Sequence, residues 1–153
     1  MKAILAPALM LDIVTMPRPI LSLPIRQVAA RSFEGELAIL PGHIPLMALL
    51  LPCVVQAWPS QVAEEHATHA GLRKVFISGG VLEVQSKQVV ILAEDALFAD
   101  EIDIDHARNA LADARQRMHE RFLLEDRERA RIEAMSAQAQ IDLWQWARDV
   151  QNV

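Results

Sequence analysis

Apolar and polar positions alternate over short stretches through the first two thirds of the chain, then change to a helical period. In 80–93, GVLEVQSKQVVILA, alternating residues flank the polar break Ser86-Lys87, which predicts a hairpin of two strands. Further strand-like stretches lie at 9–15, 26–31, 36–40, 54–58 and 74–78, with turn residues between most of them. Together with 81–85 and 88–93 these are seven short strands, a pattern that predicts a sandwich or barrel. The region is organised around 33–55, FEGELAILPGHIPLMALLLPCVV. Leu37, Ile39 and Leu40 read as a strand that Pro41-Gly42 must stop, because proline removes a ladder donor and glycine supplies the turn. The strand therefore ends by presenting His43. Leu46 to Leu51 lies between Pro45 and Pro52 and reads as one short buried element.

All five glycines and all eight prolines lie at or before Gly80, so the rest of the chain lacks the punctuation a sheet needs. There Ala107, Leu111, Ala114, Met118 and Phe122 recur at helical spacing, with Asp103 or Asp105 available as the N-terminal cap. A second stripe runs through Ile132, Met135, Ala139, Leu143, Trp146 and Val150. The charged run 125–129, EDRER, separates the stripes and reads as the joint of an antiparallel helical hairpin; without a breaker there, the segment can also straighten. Small residues on the first stripe imply close, modest packing, so the hairpin should leave the sheet at low cost. The expectation is an all-β sandwich N-terminal domain, residues 1–100, plus a C-terminal α-helical hairpin, residues 101–153, α+β overall.

Composition narrows the chemistry. A net charge of -5 and pI near 5.5 argue against a nucleic-acid surface. Cys53 is the only cysteine, which rules out an intrachain disulfide, and its neighbours Val54 and Val55 suggest a buried, inert thiol. The opening MKAILAPALMLDIV is interrupted by Asp12 and lacks a clean small-residue cleavage site, so export is not expected. The longest apolar run, 44–55, is broken by two prolines and falls short of the ~20 residues of a membrane-spanning helix, so no direct membrane insertion is expected. Glu64, Glu65, His66 and His69 have no closed ligand spacing and read as a solvated loop rather than a metal site. No Gly-x-x-x-x-Gly-Lys phosphate loop is present, so no catalytic residues are assigned. Arg115, Arg117, Arg121, Arg127, Arg129 and Arg131 are either a solvated helical face or a contact for acidic surfaces.

Four blocks carry a family resemblance: Glu34-Gly-Glu-Leu-x-Ile-Leu-Pro-Gly-His-x-Pro-Leu46, Phe76-x-Ser-Gly-Gly-x-Leu-Glu-Val84, Val89-x-Ile-Leu-Ala93 and Ile104-Asp-x-Ala-Arg108. In order and spacing the chain resembles the epsilon subunits of F-type rotary ATP synthases from about Leu9 to the helical tail. The resemblance implies a non-catalytic rotor subunit of the central stalk that couples ion flow to ATP synthesis. Its sandwich would sit between the gamma subunit and the membrane c-ring, and its hairpin would rise to the catalytic alpha/beta hexamer to inhibit hydrolysis. It implies a peripheral location on the cytoplasmic face of the inner membrane, and places Glu36 and His43 at the ring contact. Ile104, Asp105 and Arg108 match the regulatory ATP pattern of some relatives, Ile-Asp-x-x-Arg-Ala, although Asn109 replaces the alanine; no other cofactor is implied. Relatives commonly have Pro-Gly where this chain has Arg31-Ser32 and Pro52-Cys53, and glycine where it has Ala38; 56–73 is longer than the usual connection. Another class stays open, a free-standing β-sandwich binding module with a helical appendage that recruits a different protein. Co-purification with a large ATPase separates the two.

Overall fold

The computed structural model describes residues 9–16, 18–60, 71–120 and 123–151. Nine strands precede two helices: β1 (Leu9–Thr15), β2 (Pro19–Ser32), β3 (Gly35–Ile39), β4 (Leu46–Leu50), β5 (Cys53–Pro59), β6 (Arg73–Ile77), β7 (Gly80–Gln85), β8 (Gln88–Ala93), β9 (Ala96–Leu97), α1 (Ile104–Glu120) and α2 (Leu124–Gln151). The strands form a β-sandwich, and the helices form an antiparallel hairpin against it, as the period change predicts. The metal-like cluster at 64–69, Arg121 and Phe122 lie outside the described residues.

Both layers share β2. Its first half, to Ile25, pairs with β1, which continues through β8 and β7 to β4. Its second half, from Val28, pairs with β3, while β5, β6 and β9 continue the second layer on the other side. A bulge between Ile25 and Gln27 bends the strand where it changes layer. Pro19 and Pro24 lie in the half of β2 beyond the predicted 26–31, because proline in a strand reads as a break when its hydrogen-bonding side is unknown. Here Pro24 needs no donor: its carbonyl accepts from Ser60 at 3.0 Å.

Leu11, Ile13, Ile25, Val28, Ile39, Val75, Ile77, Leu82, Val89 and Ile91 fill the space between the layers, all essentially inaccessible to water. Two positions that depart from the family pattern still form their turns. The Pro52-Cys53 turn needs no left-handed residue: positive φ among the described residues is confined to glycines, and Cys53 simply opens β5. At Ser32, where relatives commonly carry glycine, the hydroxyl donates to the Gly35 carbonyl (2.9 Å) and accepts from the Glu34 N–H (3.1 Å), so it closes the β2–β3 turn itself. Gly80 is the stricter position, with φ +147°, where a Cβ would run into the Leu92 carbonyl oxygen of the adjacent strand.

The helical tail departs from its reading in two ways. The charged run 125–129 is not the joint; it lies within the first turns of α2, where Glu125 and Asp126 suit the positive helix N-terminus. Glu and Arg are strong helix formers, and nothing in that run stops a helix. Asp103 does cap α1, accepting from the His106 N–H at 3.0 Å. The second departure is that α2 has two apolar faces. At ~100° per residue, Ala130, Ala137 and Ile141 share one side, and Ala139, Leu143 and Trp146 lie about 180° away. The stripe read in the sequence is the second of these. Leu143 and Ala139 pack on Phe76 and Ile102, with Val54 and Leu97 beside them, so this stripe docks on the sandwich. The other side meets α1, where an Arg117–Glu133 ion pair and Arg115 to Gln138 (3.3 Å) tie the helices together.

Candidate interaction surfaces

Strand alternation decides what each outer face of the sandwich presents. On the second layer, Ala29, Gln56 and Lys74 form one cross-strand row, and Val54 faces Phe76 in the next. α2 lies over this face, resting on β5, β6 and the 3₁₀ turn Ala99–Glu101. Docking is uneven. Ala139 and Leu143 pack on Phe76 and Ile102, and from this contact a cleft of about 730 Å³ opens along the hairpin, lined in part by Arg31, Glu36, Gln56, Lys74, Arg115 and Arg131.

On the first layer no described residue covers the outer face. Register aligns Leu49, Val81, Leu92 and Val14 across β4, β7, β8 and β1 as an unbroken apolar row. Leu49 is 62% exposed, Leu92 55%, and Met47 in the neighbouring row 70%. This overturns the reading of 46–51 as buried: β4 alternates, with Leu50 buried, Leu46 and Ala48 half-buried, and Met47 and Leu49 exposed. A continuous apolar run does not show whether one face or two are buried. Here the outward leucine and methionine side chains are a patch of the kind that marks an interaction surface.

The predicted site residues fall at separate places. After β3, Gly42 adopts φ +88° and the His43 N–H donates to Leu40 O at 3.1 Å, closing the predicted turn. His43 is half-buried, its Nδ1 2.7 Å from the Ile44 carbonyl, between exposed Leu40 and Ile44. Glu36 sits at the other end of β3, opposite Arg31 and on the cleft, roughly 13 Å of extended chain from Leu40. The two are thus not brought together. Asp105 and Arg108 pair at 4.0 Å at the exposed start of α1, with Ile104 beside them, and Arg108 also lies over the Trp144 ring at 5.7 Å. The three do not line the cleft.

No signal in the sequence marked Lys74, Trp144 or Trp146 as a group. The Lys74 ammonium stands 4.5 Å from the Trp146 centroid, and burial pushes its pKa below the usual lysine range. Trp144 is bracketed by Arg108 of α1 and, at 4.6 Å, by Arg148 of its own helix. Cys53 is buried, and desolvation pushes its thiol pKa up, only partly opposed by Arg31, which fits an inert thiol. Among the described residues there is no metal-ligand cluster, and no helix is long and apolar enough to cross a membrane.

Residues 8–99 match the family described as ATP synthase, Delta/Epsilon chain, beta-sandwich domain. The chain belongs to this family. It is 37% identical to the ATP synthase epsilon chain of Herpetosiphon aurantiacus over 142 residues, 92% of this chain and 97% of that one. It is 39% identical to that of Nitratidesulfovibrio vulgaris strain DP4 over 72% of this chain and 76% of the other. Such chains are non-catalytic subunits. Two solved assemblies share the fold. A chain in the mitochondrial ATP synthase of Euglena gracilis superposes with TM-score 0.70 at 22% identity, covering 91% of this chain and 82% of its own length. One in the central stalk and c-ring of Tetrahymena thermophila does so at 0.54 and 14%, covering 91% and 95%.

Proposed function

We propose that this epsilon-family chain is a rotor subunit of the central stalk, seated by the bare outer face of its first layer on the gamma subunit, with the His43 turn toward the membrane c-ring. The observation that carries this reading is the apolar row Leu49–Val81–Leu92–Val14, exposed on a sandwich whose opposite outer face is covered by the chain's own helix. A subunit that moves as one body with a stalk needs a permanent, apolar seat, and this outward row is continuous across all four strands of the layer. Leu40 and Ile44 flank His43 as a smaller contact, and Glu36 is a second, separate point on the same strand. Held this way, the subunit is peripheral to the cytoplasmic face of the membrane, couples ion flow to synthesis by transmitting torque, and frees its hairpin to brake hydrolysis at the alpha/beta hexamer. Regulatory ATP has no support from the positions of Ile104, Asp105 and Arg108.

The test is co-purification from membranes. The tagged chain should bring down the ATPase, and Leu49→Asp with Leu92→Asp should reduce recovery at least tenfold while leaving the circular dichroism of the isolated chain unchanged. Recovery unaffected by both charges removes this face from the seat. A wild-type chain that brings down no ATPase instead favours the free-standing binding module.

A further inference from the structure

Three cation–aromatic pairs surround the C-terminal half of α2, and they differ in what they connect. Lys74 on Trp146 joins β6 to α2, so it spans sandwich and hairpin. Arg108 on Trp144 joins α1 to α2. Arg148 on Trp144 lies within α2. Position explains the division: two residues along a helix are about 200° apart, so Trp146 shares the side of Leu143, which faces the sandwich, and Trp144 falls toward the side that meets α1, with its ring also against the edge of the Phe76–Leu143 cluster.

We infer that the Lys74–Trp146 contact is the latch of the docked hairpin, and that the Trp144 pairs travel with the hairpin when it leaves. The latch lies where the cleft meets the apolar contact between hairpin and sheet: Lys74 lines the cleft, and Trp146 packs on the cluster in which Leu143 and Ala139 cover Phe76 and Ile102. Further along the hairpin, the cleft between the sheet and Arg131, Ala134 and Met135 leaves little else to hold. A cation over an indole is worth more once water is partly removed, and the depressed ammonium of Lys74 shows that desolvation. The inference deepens the reading of the hairpin as a brake, but concerns the docked state and is testable on the isolated chain; the brake is read on the assembled complex, so either can fail alone.

The experiment traps a thiol at position 139, beneath the contact, in a Cys53→Ala, Ala139→Cys background, where the alkylation rate reports how often the hairpin lifts. Lys74→Met, which keeps the stem and removes the charge, should raise that rate about three- to tenfold, the span expected for one cation–π contact at a partly buried site. Lys74→Arg should restore it to within about twofold, since guanidinium also stacks on indole. Arg148→Met should leave it unchanged. Trp146→Leu should raise it, and adding Lys74→Met should then have no further effect. Amide exchange along α2, in chains that keep Cys53 and Ala139, gives the same comparison without the added thiol, and protection of β7 and β8 certifies an intact sandwich. A rate unmoved by Lys74→Met, or effects of Lys74→Met and Trp146→Leu that simply multiply, overturns the latch.

Discussion

The two outer faces of the sandwich are built from similar strands and end differently. On the second layer Val54 and Phe76 point outward and are covered by Ala139 and Leu143 of α2. On the first layer Leu49, Val81 and Leu92 point outward and no described residue covers them. The difference teaches that the chain finishes one face internally and leaves the other apolar and exposed, the kind of face that suits burial against a partner.

The sharpest way to break this comparison is to measure inside against outside. Leu82→Ala, in the core, should cost about 2–5 kcal/mol in urea unfolding of the isolated chain, whereas Leu49→Ala should stay within about 0.5 kcal/mol. Equal costs would mean that the face of β4 is packed in solution.

Removing residues 103–153 should then turn the covered face into a second bare one. We expect the remaining sandwich, proposed as a domain of residues 1–100, to unfold cooperatively, weakened by roughly 1.5–3 kcal/mol for the lost cover of Phe76, with more binding of a hydrophobic dye. In the assembled complex the same truncation should raise ATP hydrolysis without loss of assembly. Random-coil circular dichroism of the fragment would show that the cover is part of the fold, and an unchanged hydrolysis rate would reject the brake.

The smallest effect concerns Cys53, which lies under the covered layer. Its pKa is raised in the folded chain, so burial of the neutral thiol contributes fully below the usual cysteine value near pH 8.5, and the contribution falls as pH rises through the folded value. Thermal melts should show a stability loss above about pH 8.5 that Cys53→Ala lacks, with thiol labelling much slower in the folded chain than in urea. Matching slopes in the two chains would place the thiol in water.

What was legible in the sequence was local. The alternation in β7 and β8, the Pro41-Gly42 stop before His43 and the Asp103 cap each depend on residues a few positions apart. What escaped needed knowledge of the other side. The outward face of β4 cannot be read from five apolar residues in a row, and the first half of β2 hides behind Pro19 and Pro24. The alanines that pack on α1 are too small to stand out as a stripe, so the one apolar stripe visible in α2 is the one that meets the sheet. Lys74 and Trp146 are distant in sequence, and no periodicity connects them.

Because β2 runs unbroken from one layer into the other, a sideways push on the bare face reaches the helix-covered face along a covalent backbone, not only through side chains sliding over one another. Hydrogen bonds from Phe33 to Leu49 (3.1 Å) and from Leu51 to Arg31 (2.9 Å) tie the far end of that strand back to the edge of the first layer. The layers are therefore hinged to each other at neither end, and shear between them would have to stretch ladder bonds. If the chain turns as the proposed rotor subunit, the sandwich acts as a stiff washer that passes on twist with little elastic lag and leaves compliance to the helices.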